Sequence, residues 1–321
     1  MDRPIVALVG GTGFIGARLV AALLRDGCTV RIVARRREHA RHLAMLAVEI
    51  VEVGGFDAGS LARFVAGADA AVNLVGTLHG GHGHPYGEGF RAAHVALPAA
   101  LAAACVEAGV PRLVHVSALG ADPGGPSMYL RSKGDGEAAL HAAADTSGGA
   151  LAVTVLRPSV VFGPGDAFLT TFARLQRFLP VLPLAMPDAQ FQPIYVGDVA
   201  QALRMACSLR EARGATYELG GPRVYTLEQL VRYCGALTGR AARIVRLPDA
   251  LARVQAAVFE RLPGEPLITR DNLASMRVPN VMHGPLAPEL GIRPASIEGV
   301  APGYLGAGVG GTRHDAWRSR R

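Results

Sequence analysis

The chain has 321 residues, half of them hydrophobic, which is enough to bury one large or two modest cores. Its formal net charge of +7 favours anionic partners such as phosphate groups or an acidic membrane surface. No cluster of basic and aromatic residues of the kind that reads RNA is present, which argues against nucleic acid as a partner.

The first half alternates short apolar runs with stretches of helical periodicity. This pattern predicts a parallel sheet covered by helices on both faces, because continuous apolar strands are buried on both sides. Right-handed crossovers then give an α/β, doubly wound Rossmann domain, predicted over residues 1–165. The predicted strands are 5–9, 28–34, 48–53, 70–75, 112–117 and 151–156, and the predicted helices are 14–26, 89–108 and 127–144.

Residues 166–321 are predicted to form mostly a smaller C-terminal substrate or cap region. Strands near 192–197 and 215–219 are expected to return to the main sheet, and 226–238 is expected to be a helix capped by Thr226. The tail from about residue 303 is rich in glycine and then basic. We expect this tail to be mobile or to lie on a partner surface.

A glycine-rich loop follows the first strand and opens the first helix. Gly10, Gly13 and Gly16 are spaced three residues apart, with Thr12, Phe14 and Ile15 between and beside them. The first glycine permits a tight turn, the second lets backbone approach a pyrophosphate, and the third lets helix and strand pack closely. The loop therefore predicts that the helix N-terminus binds the pyrophosphate of a nicotinamide dinucleotide.

The end of the second strand discriminates between the two nicotinamide cofactors. An NAD site usually carries a carboxylate there for the ribose 2′-hydroxyl, whereas this chain has Arg35, Arg36 and Arg37. Arginine can pair with a 2′-phosphate, so we expect NADPH, with NADH left possible. A solvated basic helix start is the alternative. Asp57 is expected to cap the next helix rather than to contact adenine.

Tyr129 and Lys133 are four residues apart on one predicted helix face, and Ser117 ends the preceding strand. A nearby ammonium lowers the pKa of a tyrosine, and a serine hydroxyl can orient a carbonyl. The three residues are therefore candidate catalytic residues for a proton transfer coupled to hydride transfer.

With these motifs the chain resembles an atypical member of the extended short-chain dehydrogenase/reductase superfamily. The resemblance is strongest to the branch that contains the NAD(P)H-binding accessory subunit of respiratory complex I and its bacterial homologues. It runs over nearly the whole chain and is carried by segments 72–76, 85–87, 94–98, 115–121, 129–133, 156–166, 192–200, 262–264, 269–272 and 302–305.

The resemblance implies further cofactor contacts at two strand ends. Leu74, Val75 and Gly76 match the stretch after the fourth strand, and Pro158, Ser159 and Val160 match the stretch that borders the nicotinamide. Tyr129 and Lys133 match both catalytic and cofactor positions of the superfamily. His94 stands where the superfamily usually has an asparagine, which puts the usual proton relay in doubt.

Three functions remain open at this point. The first is an NADPH-dependent oxidoreductase for a hydrophobic or quinone-linked substrate. The second is a non-catalytic, nucleotide-stabilised accessory or assembly subunit of complex I. The third is a sugar-nucleotide epimerase or dehydratase, against which the apolar stretch 168–187 and the short interval from Ser117 to Tyr129 both argue.

Several other features bear on partners and location. The glycine-rich loop with His79, His82 and His84 is interpreted as a polar lid rather than a metal site. The apolar stretch 168–187 is interpreted as cap-region core, with a substrate pocket or membrane contact as the alternatives. Four unpaired cysteines, no signal peptide, and no apolar stretch longer than 178–186 predict a cytoplasmic protein without a transmembrane segment. A peripheral position at the inner membrane face is the alternative.

Overall fold

The computed structural model describes residues 3–34, 36–43, 45–208, 214–264 and 266–306. The strands in these residues are short and mostly apolar. They are β1 Ile5–Val9, β2 Thr29–Ala34, β3 Val48–Glu52, β4 Ala70–Asn73, β5 Arg112–Val116, β6 Ala152–Pro158, β7 Val161–Phe162, β8 Val181–Leu184, β9 Gln190–Phe191, β10 Ile194–Tyr195, β11 Thr216–Leu219, β12 Tyr225–Thr226 and β13 Arg243–Arg246.

Seven of these strands form one parallel sheet in the order β11-β6-β5-β4-β1-β2-β3. The central strands are mostly apolar and fully buried because helices cover both faces of the sheet. The order reverses between β1 and β4, so the carboxyl ends of these two strands open the crevice in which doubly wound sheets bind ligands. The predicted Rossmann fold is therefore confirmed.

The helices alternate with the strands in the first half and cluster in the second half. They are α1 Phe14–Arg25, α2 Ala58–Val65, α3 Glu88–Phe90, α4 Leu97–Glu107, α5 Met128–Thr146, α6 Phe168–Phe178, α7 Val196–Ser208, α8 Leu227–Thr238, α9 Asp249–Phe259, α10 Arg270–Ser275, α11 Ile297–Val300 and α12 Pro302–Leu305. A π-helical stretch, Arg91–Ala96, joins α3 to α4.

The continuous helix Glu88–Glu107 is longer than the 178–186 stretch that the sequence suggested as the longest apolar candidate. By length and composition, it is the one helix among the described residues that could cross a membrane. Its inward residues, including Leu101, Ala102 and Cys105, are fully buried in the same core as Leu61 of α2 and Leu140 of α5. This packing is that of a helix covering a sheet.

The second half contributes one strand to the main sheet and builds three small sheets of its own. β11 lies at the edge of the main sheet beside β6. The expected return of 192–197 is wrong, because β10 pairs with β7 in a separate two-stranded sheet and Val196 already begins α7. The short β10 gives way to a helix that packs against α1 through buried residues such as Val199 and Leu203.

The apolar stretch 168–187 is split between core and surface. α6 and β8 place Leu169, Ala173, Leu182 and Leu184 in a cluster with α8. Phe178, in contrast, is 81% exposed. The interpretation as cap-region core therefore holds for the inward residues, whereas the end of α6 remains on the surface.

Candidate active site

Two glycines of the loop between β1 and α1, Gly10 and Gly16, have no room for a side chain. Gly10 has a φ of +83°, and a Cβ on it would lie 3.1 Å from Val75 N and from Leu74 C. A Cβ on Gly16 would lie 2.5 Å from the Gly11 carbonyl oxygen. Because it lacks a side chain, Gly10 lets the loop backbone pack closely against the residues that follow β4. In the same way, Gly16 lets the start of α1 pack closely against the backbone of the loop.

The first turn of α1 is left without a side-chain cap. Gly13 is its N-cap residue, and the turn begins with Phe14 and Ile15. Other helices do have such caps, since Asp57 caps α2 and Ser127 caps α5. The uncapped N–H groups and the positive end of the helix dipole suit an anionic group such as a pyrophosphate.

A cavity of about 760 Å³ extends from this loop along the sheet edge. Its size lies within the range of small-molecule sites. Gly10, Thr12 and Val75 line it at the loop, and Asp57 lines it at the far side. The remaining lining is apolar and comes from the end of β2, the start of α2 and one face of the helix Glu88–Glu107: Val33, Ala34, Phe56, Ala58, Gly89, Ala92, Ala93, Ala96, Leu97 and Ala100.

The end of β2 lies at this cavity. Ala34 lines the cavity, Arg36 is exposed beside it, and Arg35 lies outside the described residues. Asp57 Oδ1 accepts a hydrogen bond of 2.9 Å from Ser60 N, so Asp57 acts as the helix cap that the sequence suggested.

Lys133 lies at the carboxyl ends of β4 and β5. Its Nζ donates to the Val116 carbonyl at 3.1 Å, and a Cβ on Gly76 would lie 3.4 Å from the same Nζ. Ser117 follows Val116 directly, and its Oγ is buried without a hydrogen-bond partner among the described residues. Lys133, Ser117 and the stretch after β4 therefore meet at one edge of the sheet.

Tyr129 lies one helical turn before Lys133 on α5. Its ring meets the imidazole of His94 edge-on, with the ring centroids 5.5 Å apart. Burial raises the pKa of Tyr129 to about 12, and burial lowers the pKa of Lys133 to about 8 despite the opposing charge of Glu137. At neutral pH the tyrosine is thus a proton donor beside a mostly protonated lysine.

His94 is fully buried and its hydrogen bonds fix its tautomer. Its Nε2 accepts from Thr77 N at 3.0 Å, so the ring proton is on Nδ1, which donates to Ser132 Oγ at 2.8 Å. Ser132 in turn donates to the Tyr129 carbonyl at 2.8 Å. Burial and the Lys133 charge lower the pKa of His94 to about 2, so the imidazole is neutral. His94 thus connects the loop after β4 to the backbone of the tyrosine.

A second buried histidine lies beneath this network. Asn73 Oδ1 accepts from Val75 N at 3.1 Å, which directs its amide nitrogen to His115 Nδ1 at 3.2 Å. His115 Nε2 is buried and has no partner among the described residues. Burial lowers the pKa of His115 well below its usual value, followed by the charge of Lys133, so this ring is also neutral.

The C-terminal region holds the start of α5 from outside. Asp271 of α10 accepts from the Met128 and Tyr129 backbone N–H groups at 2.6 and 3.1 Å. Ser275, one turn after Asp271 on α10, donates a hydrogen bond of 2.8 Å to Ser127 Oγ. The helix that carries Tyr129 and Lys133 is therefore positioned by residues more than 140 positions away.

Asn280 holds the stretch after β6 in a similar way. Ser159 Oγ donates to Asn280 Oδ1 at 2.6 Å, and Val160 N donates to the same oxygen at 2.9 Å. Pro158 ends β6, so the structure brings the predicted stretch 158–160 to the same edge of the sheet. The Ser159 hydroxyl is engaged within the protein rather than directed at the crevice.

The side chains of the histidine loop take no part in this network, although Thr77 joins the loop to it through a hydrogen bond to the His79 carbonyl. His79, His82 and His84 are exposed. Burial opposes the lowering of the Glu260 pKa, but hydrogen bonds from the backbone and side chain of Arg270 lower this pKa, and nearby His82 adds a smaller lowering effect. Among the described residues, no group of three histidine, cysteine, aspartate or glutamate side chains is arranged to hold a metal ion.

The sequence motifs identified one part of this site and missed another. The glycine loop, Ser117, Tyr129 and Lys133 come to one edge of the sheet. The roles of Asp271, Asn280 and His115 were not predicted. For Asp271 the available signal was the capping box Thr269 to Asn272, which predicts a helix start but not its distant contact.

Comparison with known proteins adds to this geometry. The family described as NAD dependent epimerase/dehydratase matches residues 6–220. A mouse protein, NADH dehydrogenase (ubiquinone) 1 alpha subcomplex subunit 9, mitochondrial, is 30% identical over 92% of this chain and 78% of its own length. A Caulobacter vibrioides ceramide reductase is 31% identical over 77% of this chain and 74% of its own length.

Among solved structures, the enzyme MoeE5 in complex with UDP-glucose and NAD superposes with a TM-score of 0.62 and 25% identity. The match covers 75% of this chain and 84% of that chain. The resemblance inferred from the motifs, to atypical short-chain dehydrogenases and the complex I accessory subunit, is confirmed. The chain belongs to the NAD dependent epimerase/dehydratase family.

Proposed function

We propose that this protein is an NADPH-dependent reductase for the carbonyl group of a hydrophobic or quinone-linked substrate. The observation that carries the proposal is the pairing of two groups at one edge of the sheet. Ser117 Oγ is buried without a partner among the described residues, and Tyr129 on the adjacent helix is a protonated donor. A buried polar atom of this kind indicates a ligand atom that completes its hydrogen bond.

The nicotinamide dinucleotide fits the residues of the crevice. The glycine loop and the uncapped start of α1 suit its pyrophosphate, and the cavity beside Asp57 suits its adenosine half. Arg35 and Arg36 are proposed to pair with a 2′-phosphate, which supports NADPH over NADH. When bound, the reduced cofactor supplies the hydride for the carbonyl carbon.

The side chains supply the matching proton. Ser117 Oγ donates a hydrogen bond that orients the carbonyl, and Tyr129 transfers its hydroxyl proton to the carbonyl oxygen as the carbon gains the hydride. Lys133, mostly protonated at neutral pH because its pKa is about 8, stabilises the tyrosinate that remains. The high pKa of Tyr129 supports the reductive direction, since reduction needs the protonated form.

The choice of a hydrophobic substrate has two supports. The Caulobacter vibrioides relative is a ceramide reductase, and a Stenotrophomonas maltophilia relative, 30% identical over half of this chain, is a 2-alkyl-3-oxoalkanoate reductase. In addition, Leu78 of the loop after β4 and Leu267 before α10 are both exposed on segments adjoining the site.

The test begins with calorimetric titration of the purified protein with NADPH and NADH. The reduced nicotinamide absorbance is then followed after addition of short-chain ubiquinone analogues and long-chain ketones. We expect oxidation of NADPH that falls by at least about 100-fold in Tyr129→Phe, while the Kd for NADPH stays within twofold. Full activity in Tyr129→Phe would refute the assigned role of the tyrosine, and failure to bind either nucleotide would refute the proposal.

Arg35→Asp tests the cofactor preference separately. We expect this variant to lose roughly tenfold or more in affinity for NADPH relative to NADH, because a carboxylate repels the 2′-phosphate. Arg3→Asp is the matched charge control, because Arg3 is exposed and precedes β1, at the opposite end of that strand from the glycine loop. An unchanged NADPH preference in Arg35→Asp removes Arg35 from the site.

A second candidate function is supported by the relative from mouse, which matches this chain over 92% of its length. In that case the chain is a nucleotide-stabilised accessory or assembly subunit of complex I, peripheral to a membrane. Tagged chain purified from detergent-solubilised membranes then retains complex I subunits. This association requires the glycine loop but not Tyr129, so Gly16→Val and Tyr129→Phe separate the two functions.

The sugar-nucleotide alternative is tested with the same purified protein. UDP-glucose is the ligand of the MoeE5 neighbour, and the NAD-loaded protein is incubated with it. Conversion of UDP-glucose to an epimer or dehydration product would favour this alternative over the reductase.

A further inference from the structure

The exposed apolar side chains of this protein are concentrated in two segments of the C-terminal region. Among the described residues, fourteen large apolar side chains are exposed, and nine of them lie between 178 and 181 or between 245 and 267. They are Phe178, Leu179, Val181, Val245, Leu251, Val254, Val258, Leu262 and Leu267. We call this set the apolar surface. Such a concentration on one region marks an interaction site more often than isolated exposed residues do.

Helix α9 forms the centre of the apolar surface. Leu251, Val254 and Val258 are 55%, 59% and 52% exposed, and their spacing of three and four residues places them on one helix face. The inner face carries Ala252 and Ala256, which are buried with Ala185 and Leu273. Small inner residues and large outer ones are the reverse of the usual surface helix, whose large apolar residues face the core.

The small sheet of β8 and β13 continues the surface beside α9. Gln255 of α9 donates to the Pro183 carbonyl of β8, which joins the two elements. Val181 of β8 and Val245 of β13 are 46% and 41% exposed on this sheet, next to Phe178 at 81%. The helix and the sheet are therefore neighbours, and both carry exposed apolar side chains.

Arginines border the apolar surface. Residues 240–267 contain five arginines and three acidic residues. One of the acids, Glu260, is paired with Arg270 at 2.8 Å. Arg243, Arg253 and Arg261 are exposed at the edges of the surface, and Arg174 and Arg177 are exposed on the helix that ends at Phe178. Apolar side chains flanked by arginines are complementary to a bilayer that has anionic headgroups above an apolar interior.

We propose that the apolar surface docks on an anionic lipid bilayer, with α9 lying in the interface and the bordering arginines on the headgroup phosphates. This proposal goes beyond the reaction and does not require turnover. It also has a structural link to the site: α9 leads into α10, Glu260 bonds Arg270, and Asp271 caps the helix that carries Tyr129. In a docked protein, α9 would lie in the membrane interface, and α10 would connect it to the helix that carries Tyr129.

The test is co-sedimentation of the full chain with vesicles of phosphatidylcholine alone or mixed with phosphatidylglycerol. We expect binding to the mixed vesicles that weakens with added salt. The triple variant Leu251→Ser, Val254→Ser, Val258→Ser is expected to bind at least tenfold more weakly. The matched control is Met45→Ser, Leu46→Ser, Val106→Ser, which removes three exposed apolar side chains that lie outside the apolar surface and is expected to bind as the unmodified chain does.

Three outcomes would overturn the proposal. Absence of binding to the mixed vesicles is the first. The second is undiminished binding by the α9 triple variant with its thermal unfolding intact, which would assign the vesicle affinity to another basic segment such as the arginines at 318, 320 and 321. The third is a dimer, detected by light scattering without lipid, that the triple variant converts to a monomer, because then a second copy covers the surface.

Discussion

The two halves of the site are built in different ways. On the nucleotide side the backbone forms the binding surface, and the decisive residues are glycines within seven positions of one another. Around Tyr129 and Ser159, contacts between side chains and distant backbone set the geometry. Asp271 reaches Met128, and Asn280 reaches Ser159.

This difference explains why the two sides tolerate change differently. A backbone cradle has no room for a single added carbon, since the atoms that it would meet belong to the main chain and cannot rotate away. Loss of a contact from a distant side chain has a smaller effect, because the helix that the contact positions is also held by the packing of its buried residues. The following predictions sharpen that comparison, starting from the largest effect.

Gly16→Val should have the largest effect. Even its Cβ would lie 2.5 Å from the Gly11 carbonyl oxygen, so the loop must move, and we expect NADPH affinity to fall by more than about 100-fold in calorimetry. Gly27→Ala is the control. Gly27 has a φ of +80° but nothing within 4 Å of a Cβ, so this variant should lose about 1 kcal/mol of stability and bind NADPH normally. Equal affinities in the two variants would contradict the backbone-built cradle.

The next prediction concerns the pH dependence of stability that arises from His94, which packs against α5. His94 has a folded-state pKa of about 2, below its ordinary value of 6.5, so the unfolded chain takes up the proton more readily. Stability contributed by the neutral ring is therefore present above pH 6.5 and is lost as the pH falls below it. Between pH 7 and pH 5 the loss should be about 2 kcal/mol for this residue, measured by urea unfolding.

His94→Asn identifies the source of that pH dependence. The variant should be less stable than the parent at pH 7, because it loses the hydrogen bonds to Thr77 and Ser132 in their present geometry. Its free energy of unfolding should change less between pH 7 and pH 5. An identical pH dependence in both proteins would mean that His94 is not the buried neutral group described here.

Asp271→Asn should give the smallest effect. The amide keeps one acceptor oxygen for the two N–H groups at the start of α5 and loses the charge, so we expect about 1 kcal/mol less stability and roughly fivefold slower turnover. Thr226→Ala, which removes the cap of α8, should cost similar stability and leave turnover unchanged. If both variants slow turnover equally, general destabilisation explains the effect and Asp271 is not a positioning residue.

Local sequence signals located the parts of the site that depend on local structure. The run Ile5–Val9 followed by Gly10, Gly13 and Gly16 predicts strand, turn and helix at once, because each of these features depends on residues next to one another. Tyr129 and Lys133 could be paired in advance because a helix places residues four apart on one face. The sequence also showed that β2 ends without an acid.

Only the tertiary structure decided how the second half completes the site. The return of 192–197 to the main sheet was wrong because burial of α7 against α1, a contact between distant segments, prevailed over the local strand pattern. His94 and His115 could not be recognised as neutral, since their low pKa values arise from burial and not from neighbours in the sequence. By itself the sequence determined the sheet, the glycine cradle and the placement of Tyr129 and Lys133 on one helix face, which follow from local periodicity and backbone conformation. The contacts of Asp271 and Asn280 and the exposed face of α9 depended on packing across the fold. No local pattern specifies which distant backbone a polar side chain meets or which face of a helix is left uncovered.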